Sequence, residues 1–217
     1  WYISHYHCDH VFALIRILEE EDIFIKNLYY DFNVTDEILE KYGDEDNYLV
    51  ARMKKAVGEN RSKIGNVITP EKGNEFTTDG VKVKILNNAT FRAMANMPND
   101  SSIVFKVETP GKNILFLGDL GAYGDVLLKD EYFYNEIQDC EVVQLGHHGQ
   151  SGVSDKFYQS LPAMKVAIYC APEWLFDCNS GKGVGSGSWL TLRTREIMRV
   201  LKIRKTCSLK YGRAELG

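Results

Sequence analysis

All five histidines of this 217-residue chain fall in two short clusters. Three stand in His5-Tyr6-His7-Cys8-Asp9-His10 and two in Gly146-His147-His148-Gly149. Each cluster follows a run with strand character, "YIS" before the first and "CEVVQL" before the second. The stretch "VFALIRILEEE" after the first cluster is apolar at Phe12, Ile15 and Leu18, a helical spacing. The first cluster therefore occupies a strand-to-helix turn. Histidines serving only a core would be scattered. Gathered at two strand ends, they call for a fold that brings those ends together.

The rest of the chain reads as mixed strands and helices. "IFIKNLYY", "VKVKIL", "SIVFKVE", "ILFLGD", "KVAIYC" and "TCSLKYG" have strand character, and "TPGKN" joins two of them as a turn. Residues 35–56 read as helix interrupted near "YGDEDN", with Thr35 and Asp36 as caps. Residues 125–138, "DKFYQSL" and "RTREIMRVL" read as further helices. Hairpins and crossovers both occur in this order, which fits an α/β fold of two sheets sandwiched by helices. Neither an internal repeat nor a boundary divides residues 1–217, so a single domain is expected.

Composition narrows the class. With 44% hydrophobic and 26% charged residues the chain is ordinary globular material. No apolar run approaches the roughly 18 residues of a membrane span. The odd set Cys8, Cys140, Cys170, Cys178 and Cys207 has no framework spacing, so reduced thiols and a cytoplasmic location are expected. A net charge of −4 excludes a general polyanion binder. The charge is uneven: residues 191–213 hold eight bases (Arg193, Arg195, Arg199, Lys202, Arg204, Lys205, Lys210, Arg213) against Glu196 alone. Such a stripe can follow a phosphate backbone or simply form a solvated face. The loop "SGKGVGSGS" lacks the Ser or Thr that would follow Gly-Lys in a phosphate loop.

The clusters point to metal chemistry. His and Asp are ligands for borderline divalent ions such as zinc or manganese. In an extended turn His5 and His7 point to one side and can share an ion, while Asp9 and His10 can reach a second. "ILFLGD" ends an apolar strand at Gly118-Asp119, where a carboxylate beside a glycine can approach and bridge ions. His147 and His148 end another buried strand.

In that order, "HYHCDH", "FLGD" and "LGHHGQSGVS" resemble the metal motifs of the metallo-β-lactamase superfamily, and more narrowly the hydrolase domain of the competence protein ComEC. The resemblance implies a four-layer αββα sandwich with two divalent ions, zinc or manganese, at one edge. It gives His5 and His7 to one ion, Asp9 and His10 to the other, and Asp119 as the bridge. One of His147 and His148 completes the shell, with His147 preferred for its place after the strand, and catalysis falls to Asp9 and the other, His148, which protonates the leaving oxygen. Members of the superfamily carry several strands before the histidine motif, and these N-terminal strands are expected to be missing here. Many also carry a further histidine where this chain has Asn99 or Asp100, and ComEC-like chains a later one, whereas none follows His148. One of the two sites is then expected to be incomplete. The activity implied is a metal-dependent phosphodiesterase or nuclease using a metal-bound hydroxide, acting on a phosphate-containing substrate, nucleic acid included. The alternatives are a hydrolase of a small thioester, lactone or amide, and a non-catalytic relative.

Overall fold

The computed structural model describes residues 1–91 and 96–212; Arg213, the last base of the C-terminal stripe, lies outside the described residues. The apolar stripe after the first histidine cluster forms helix α1 (Cys8–Glu20), which buries Val11, Leu14, Ile15 and Leu18. Strand β1 (Ile25–Tyr29) follows. The interrupted helix resolves into α2 (Asp36–Tyr42) and α3 (Tyr48–Glu59), with the Thr35 hydroxyl capping α2 by accepting from the Ile38 N–H. Strand β2 (Ile64–Ile68) pairs with β1 in parallel. The expected strand at "YIS" is reduced to a single parallel bridge between Tyr2 and Tyr29.

The second sheet begins with the hairpins β3 (Glu75–Thr78), β4 (Val81–Ile85), β5 (Phe105–Glu108) and β6 (Asn113–Phe116), with the short helix α4 (Met97–Asp100) between β4 and β5. It continues with β7 (Val142–Gln144), β8 (Val166–Tyr169) and β9 (Lys205–Ser208). Strand order follows the sequence, antiparallel from β3 to β6 and parallel from β6 to β9. The parallel half needs crossovers, and helices supply them. These are α5 (Gly124–Leu127), α6 (Glu131–Ile137), α7 (Asp155–Gln159), α8 (Glu173–Phe176) and α9 (Thr191–Val200). The single helix expected over 125–138 is thus two, because Asp130 breaks the run and caps α6 through the Phe133 N–H.

Two cores and an aromatic seam set the layers. On one side α1 and α3 pack Leu14, Leu18 and Met53 onto Ile25, Leu28 and Ile64 of the small sheet. On the other, Phe133, Phe157 and Met198 cover Leu115, Val143 and Ala167 of the large sheet. Between the sheets, Tyr29 of β1 stacks on Phe76 of β3 with ring centres 4.8 Å apart, and Tyr2 stacks on Phe105 of β5 at 5.1 Å. The expected order of helices, sheet, sheet and helices is present, with two strands in the smaller sheet among the described residues. Phe176 belongs to the core, whereas Trp174 and Trp189 pair at 4.9 Å near the glycine loop. Among the described residues no helix is long and apolar enough to cross a membrane.

Candidate metal centre

Parallel pairing places chemistry at one edge. Strands β6, β7 and β8 run the same way, so their C-terminal ends open together, the usual position for function in such sheets. Asp119 follows β6, His147 and His148 follow β7, and Cys170 follows β8. The first cluster reaches the same edge because the Ser4 carbonyl accepts from the Ile103 N–H just ahead of β5, 3.0 Å away. His7 is the N-cap of α1, which puts Asp9 and His10 in its first turn. Asp9 suits the positive end of the helix.

Two ligand sets result. Asp9, His10, Asp119 and His148 each offer an atom within 4.8 Å of the others, and His5, His7 and Asp119 do the same. Asp119 is common to both and only 2% exposed. The His148 Nε2 lies 2.8 Å from Asp9 Oδ2 and 3.2 Å from Asp119 Oδ2. The His10 Nε2 lies 3.3 Å from Asp119 Oδ1, and the His5 Nε2 is 3.0 Å from His7 Nδ1. His147, expected to complete the shell, is in neither set: its Nε2 is 4.0 Å from Asp119 Oδ2 and 3.5 Å from the Gln150 amide. The reason is the backbone after β7. His147 and His148 both take left-handed φ values, 49° and 57°, so consecutive side chains diverge and the second faces Asp119. Asp100 joins neither set, and the Asn99 side-chain amide donates to Asn96 Oδ1 at 3.2 Å. Asp100 is buried and instead accepts from the Gly121 and Tyr123 N–H groups, fixing the loop after Asp119.

The outward nitrogens of four imidazoles each meet a polar partner. His5 Nδ1 lies 3.1 Å from Ser4 Oγ, and His10 Nδ1 lies 3.3 Å from the same oxygen. His7 Nε2 is 2.8 Å from Asp44 Oδ2, and His148 Nδ1 is 2.8 Å from the Cys170 carbonyl. An imidazole that donates outward presents a lone pair inward, as metal-binding histidines do. Two inward atoms, His10 Nε2 and Asp119 Oδ1, are buried with no aligned hydrogen bond. Buried polar atoms left without partners are rare and costly, and a cation between them would satisfy both. The donor set of imidazole nitrogens and carboxylate oxygens therefore fits a borderline divalent ion.

Charge follows burial and contact. Burial, helped by repulsion from His10, holds His5 neutral, well below the usual imidazole range. Burial alone would raise the Asp119 carboxyl, but contacts with His10 and His148 hold it well below the carboxylate range. Asp119 is placed by residues that carry no charge. The Gln144 side chain accepts from the Leu117 and Gly118 N–H groups, and Ser102 Oγ accepts from the Asp119 N–H at 3.0 Å.

Asp44, Gln144 and Ser102 were not singled out by the sequence. Asp44 lies in an acidic run that looks like solvated surface, and Gln144 is hidden in a strand. The signal for Gln144 was a polar residue closing the otherwise apolar "CEVVQL". Ser154 caps α7 by accepting from the Phe157 N–H. Much of the C-terminal stripe is ion-paired: Arg193 with Asp155, Arg199 with Glu196, and Lys210 with Asp177.

Neither a protein-family profile nor a curated protein matches the chain. Solved structures do. The metallo-β-lactamase fold protein YhfI from Bacillus subtilis is 9% identical over 95% of this chain and 73% of its own, with a TM-score of 0.47. A CmlA β-hydroxylase mutant is 12% identical over 96% of this chain and 42% of its own, at 0.49. Zn²⁺-bound PqqB from Methylobacterium extorquens is 12% identical over 67% of this chain, at 0.37, and the chain spans 40% of PqqB.

Proposed function

We propose that this chain is a metal-dependent hydrolase with a two-ion centre of the metallo-β-lactamase type, acting on phosphodiesters. The observation that carries the reading is the set of four imidazoles whose outward nitrogens meet polar partners while their inward nitrogens converge on Asp119. His5 Nε2 and His7 Nδ1 would hold one ion. Asp9, His10 Nε2 and His148 Nε2 would hold the other, with Asp119 shared. Divalent ions held there would supply an activated water nucleophile at neutral pH and would offset charge developing on the phosphoryl oxygens.

The residues do the rest. Asp9 and Asp119 bring two negative charges against the four positive charges of two ions, and neutral imidazoles bring none, so the centre stays cationic and favours an anionic electrophile. With His148 among the ligands, His147 is the imidazole left to hand a proton to the leaving oxygen, against a burial that holds it below the usual imidazole range. This exchanges the roles first expected of the two. The ComEC-like, nuclease form of the reading rests on "FLGD", "LGHHGQSGVS" and the C-terminal bases, several of which are ion-paired.

One observation favours a second reading, a small neutral ester, thioester or lactone. The cavity beside His10, Asp119 and His148, of about 190 Å³, is walled by Tyr2, Ile3, Phe105 and Phe116, and among the described residues no Lys or Arg lines it. Beyond the ions themselves, a long polyanion would meet no Lys or Arg among those described lining residues. Metal-loaded protein assayed on bis-p-nitrophenyl phosphate and on p-nitrophenyl acetate separates the two. Turnover of the diester that vanishes in Asp119→Asn supports the proposal. Turnover of the acetate alone moves the substrate to the second class, and turnover of neither sinks the hydrolase reading.

A further inference from the structure

We propose that Ser4 is a positioning residue that couples the two halves of the centre, so that the two ions bind as a linked pair. The inference rests on the two-ion reading above. The Ser4 hydroxyl lies 3.1 Å from His5 Nδ1 and 3.3 Å from His10 Nδ1. These two rings belong to different ligand sets, and each faces its set with Nε2. A ring that offers a lone pair at Nε2 carries its proton at Nδ1, and a hydroxyl oxygen has two lone pairs to receive two such protons. One oxygen thus fixes the tautomer and the tilt of both rings.

The other outer contacts do not span the sets in this way. Asp44 touches His7, and the Cys170 carbonyl touches His148. Ser102 Oγ lies 3.4 Å from His5 Nδ1 and accepts from the Asp119 N–H, but touches no second histidine. Ser4 is itself held: its carbonyl accepts from the Ile103 N–H. Its side chain rests on the bare Cα of Gly118, where a Cβ would lie 2.8 Å from Ser4 Cβ and 3.0 Å from both serine hydroxyls. Gly118 is at φ +55°, so the glycine both makes the turn to Asp119 and leaves room for the hydroxyl pair. Removing the Ser4 hydroxyl would release His5 and His10 together. Either ring could then carry its proton at Nε2, where it blocks the ion.

The test is titration of metal-free Ser4→Ala with Zn²⁺ by calorimetry, beside the unaltered chain, with ¹⁵N spectra of the histidine rings in both. The expected result is that both equivalents weaken together, each by about 10- to 100-fold. In the loaded unaltered chain His5 and His10 should both show Nδ1–H, and in Ser4→Ala both should shift toward mixed tautomers. Ser102→Ala should weaken metal binding without changing the His10 tautomer. Two tight ions in the unaltered chain, with Ser4→Ala weakening one or neither, would overturn the coupling and leave the metal centre intact. An unaltered chain that binds no Zn²⁺ overturns the centre and the coupling with it. If Ser4→Ala fails to fold, the ring spectra of the unaltered chain decide: Nε2–H on either His5 or His10 with metal bound refutes the proposal.

Discussion

His148 Nε2 sits 2.8 Å from Asp9 Oδ2, joining the loop after β7 to the first turn of α1. This contact, and not one from the neighbouring His147, closes the ligand set at the sheet edge. It divides the labour of two adjacent histidines, and the division is measurable. His148→Ala should remove one metal equivalent and nearly all turnover. His147→Ala should keep both ions and lower kcat by about 10²- to 10⁴-fold, the usual contribution of a proton-transferring side chain. Metal analysis beside kcat for the two variants checks this, and metal loss in His147→Ala with none in His148→Ala would reverse the assignment.

The two ligand sets are unequal. One has three residues besides Asp119 and the other has two. The Asp9–His10–His148 set should therefore fill first, and the His5–His7 set more weakly. Of the five histidines Asp44 touches His7 alone, so Asp44→Asn should weaken only the second equivalent, by about 10- to 100-fold. Stepwise Zn²⁺ titration of both proteins reads the two constants. Identical constants in the unaltered chain would contradict the ranking.

Without metal, the Asp9–His148 pair makes stability depend on pH. Burial alone would lower the His148 imidazole, but hydrogen bonds to Asp119 and Asp9 raise it from 6.5 to about 11. Burial alone would raise Asp9, but the hydrogen bond from His148 and the charge of His10 take it from 3.8 to about 2. A raised base stabilises fully below its unfolded value and loses that contribution as pH rises through its folded one; a depressed acid does so above its unfolded value and loses it as pH falls. The pair should stabilise metal-free protein most between pH 3.8 and 6.5, with Tm falling on either side. Asp9→Asn should flatten both slopes. A metal-free Tm that is level from pH 6.5 to 10 in the unaltered chain would show that His148 is not held charged.

Gly118→Ala tests the turn. At φ +55° with Ser4 Cβ 2.8 Å from the new methyl, the variant should lose at least the 1–3 kcal/mol that such backbone strain typically costs. In a chain of this length that is roughly 2–4 °C of Tm per kcal/mol. A thermal melt with no shift would mean the serine pair moves aside freely.

Much of this was legible because the informative residues are chemically loud. Histidines, a Gly-Asp at a strand end and period-two strands each carry a local signal, so α1, β1, β4 to β9 and both histidine clusters were read where they stand. What escaped has a common cause. β2 and β3 lie at sheet edges with largely exposed side chains, so no apolar alternation marks them. The divergence of His147 and His148 depends on two left-handed residues, which composition does not announce. Asp44 serves the site through a contact made only after α2 and α3 fold back on α1, and in sequence it is one acid among twelve between residues 19 and 60.

The distribution of the centre along the chain also bears on how the protein is made. Synthesis proceeds from the N-terminus, so His5, His7, Asp9 and His10 emerge first. Asp119 and His148 arrive only after most of the large sheet has been translated. Throughout that interval the nascent chain would display His5, His7, Asp9 and His10 without the Asp119 and His148 that complete both candidate sets. Metal supplied during synthesis and metal supplied to the finished fold are therefore different treatments, and they need not yield the same occupant.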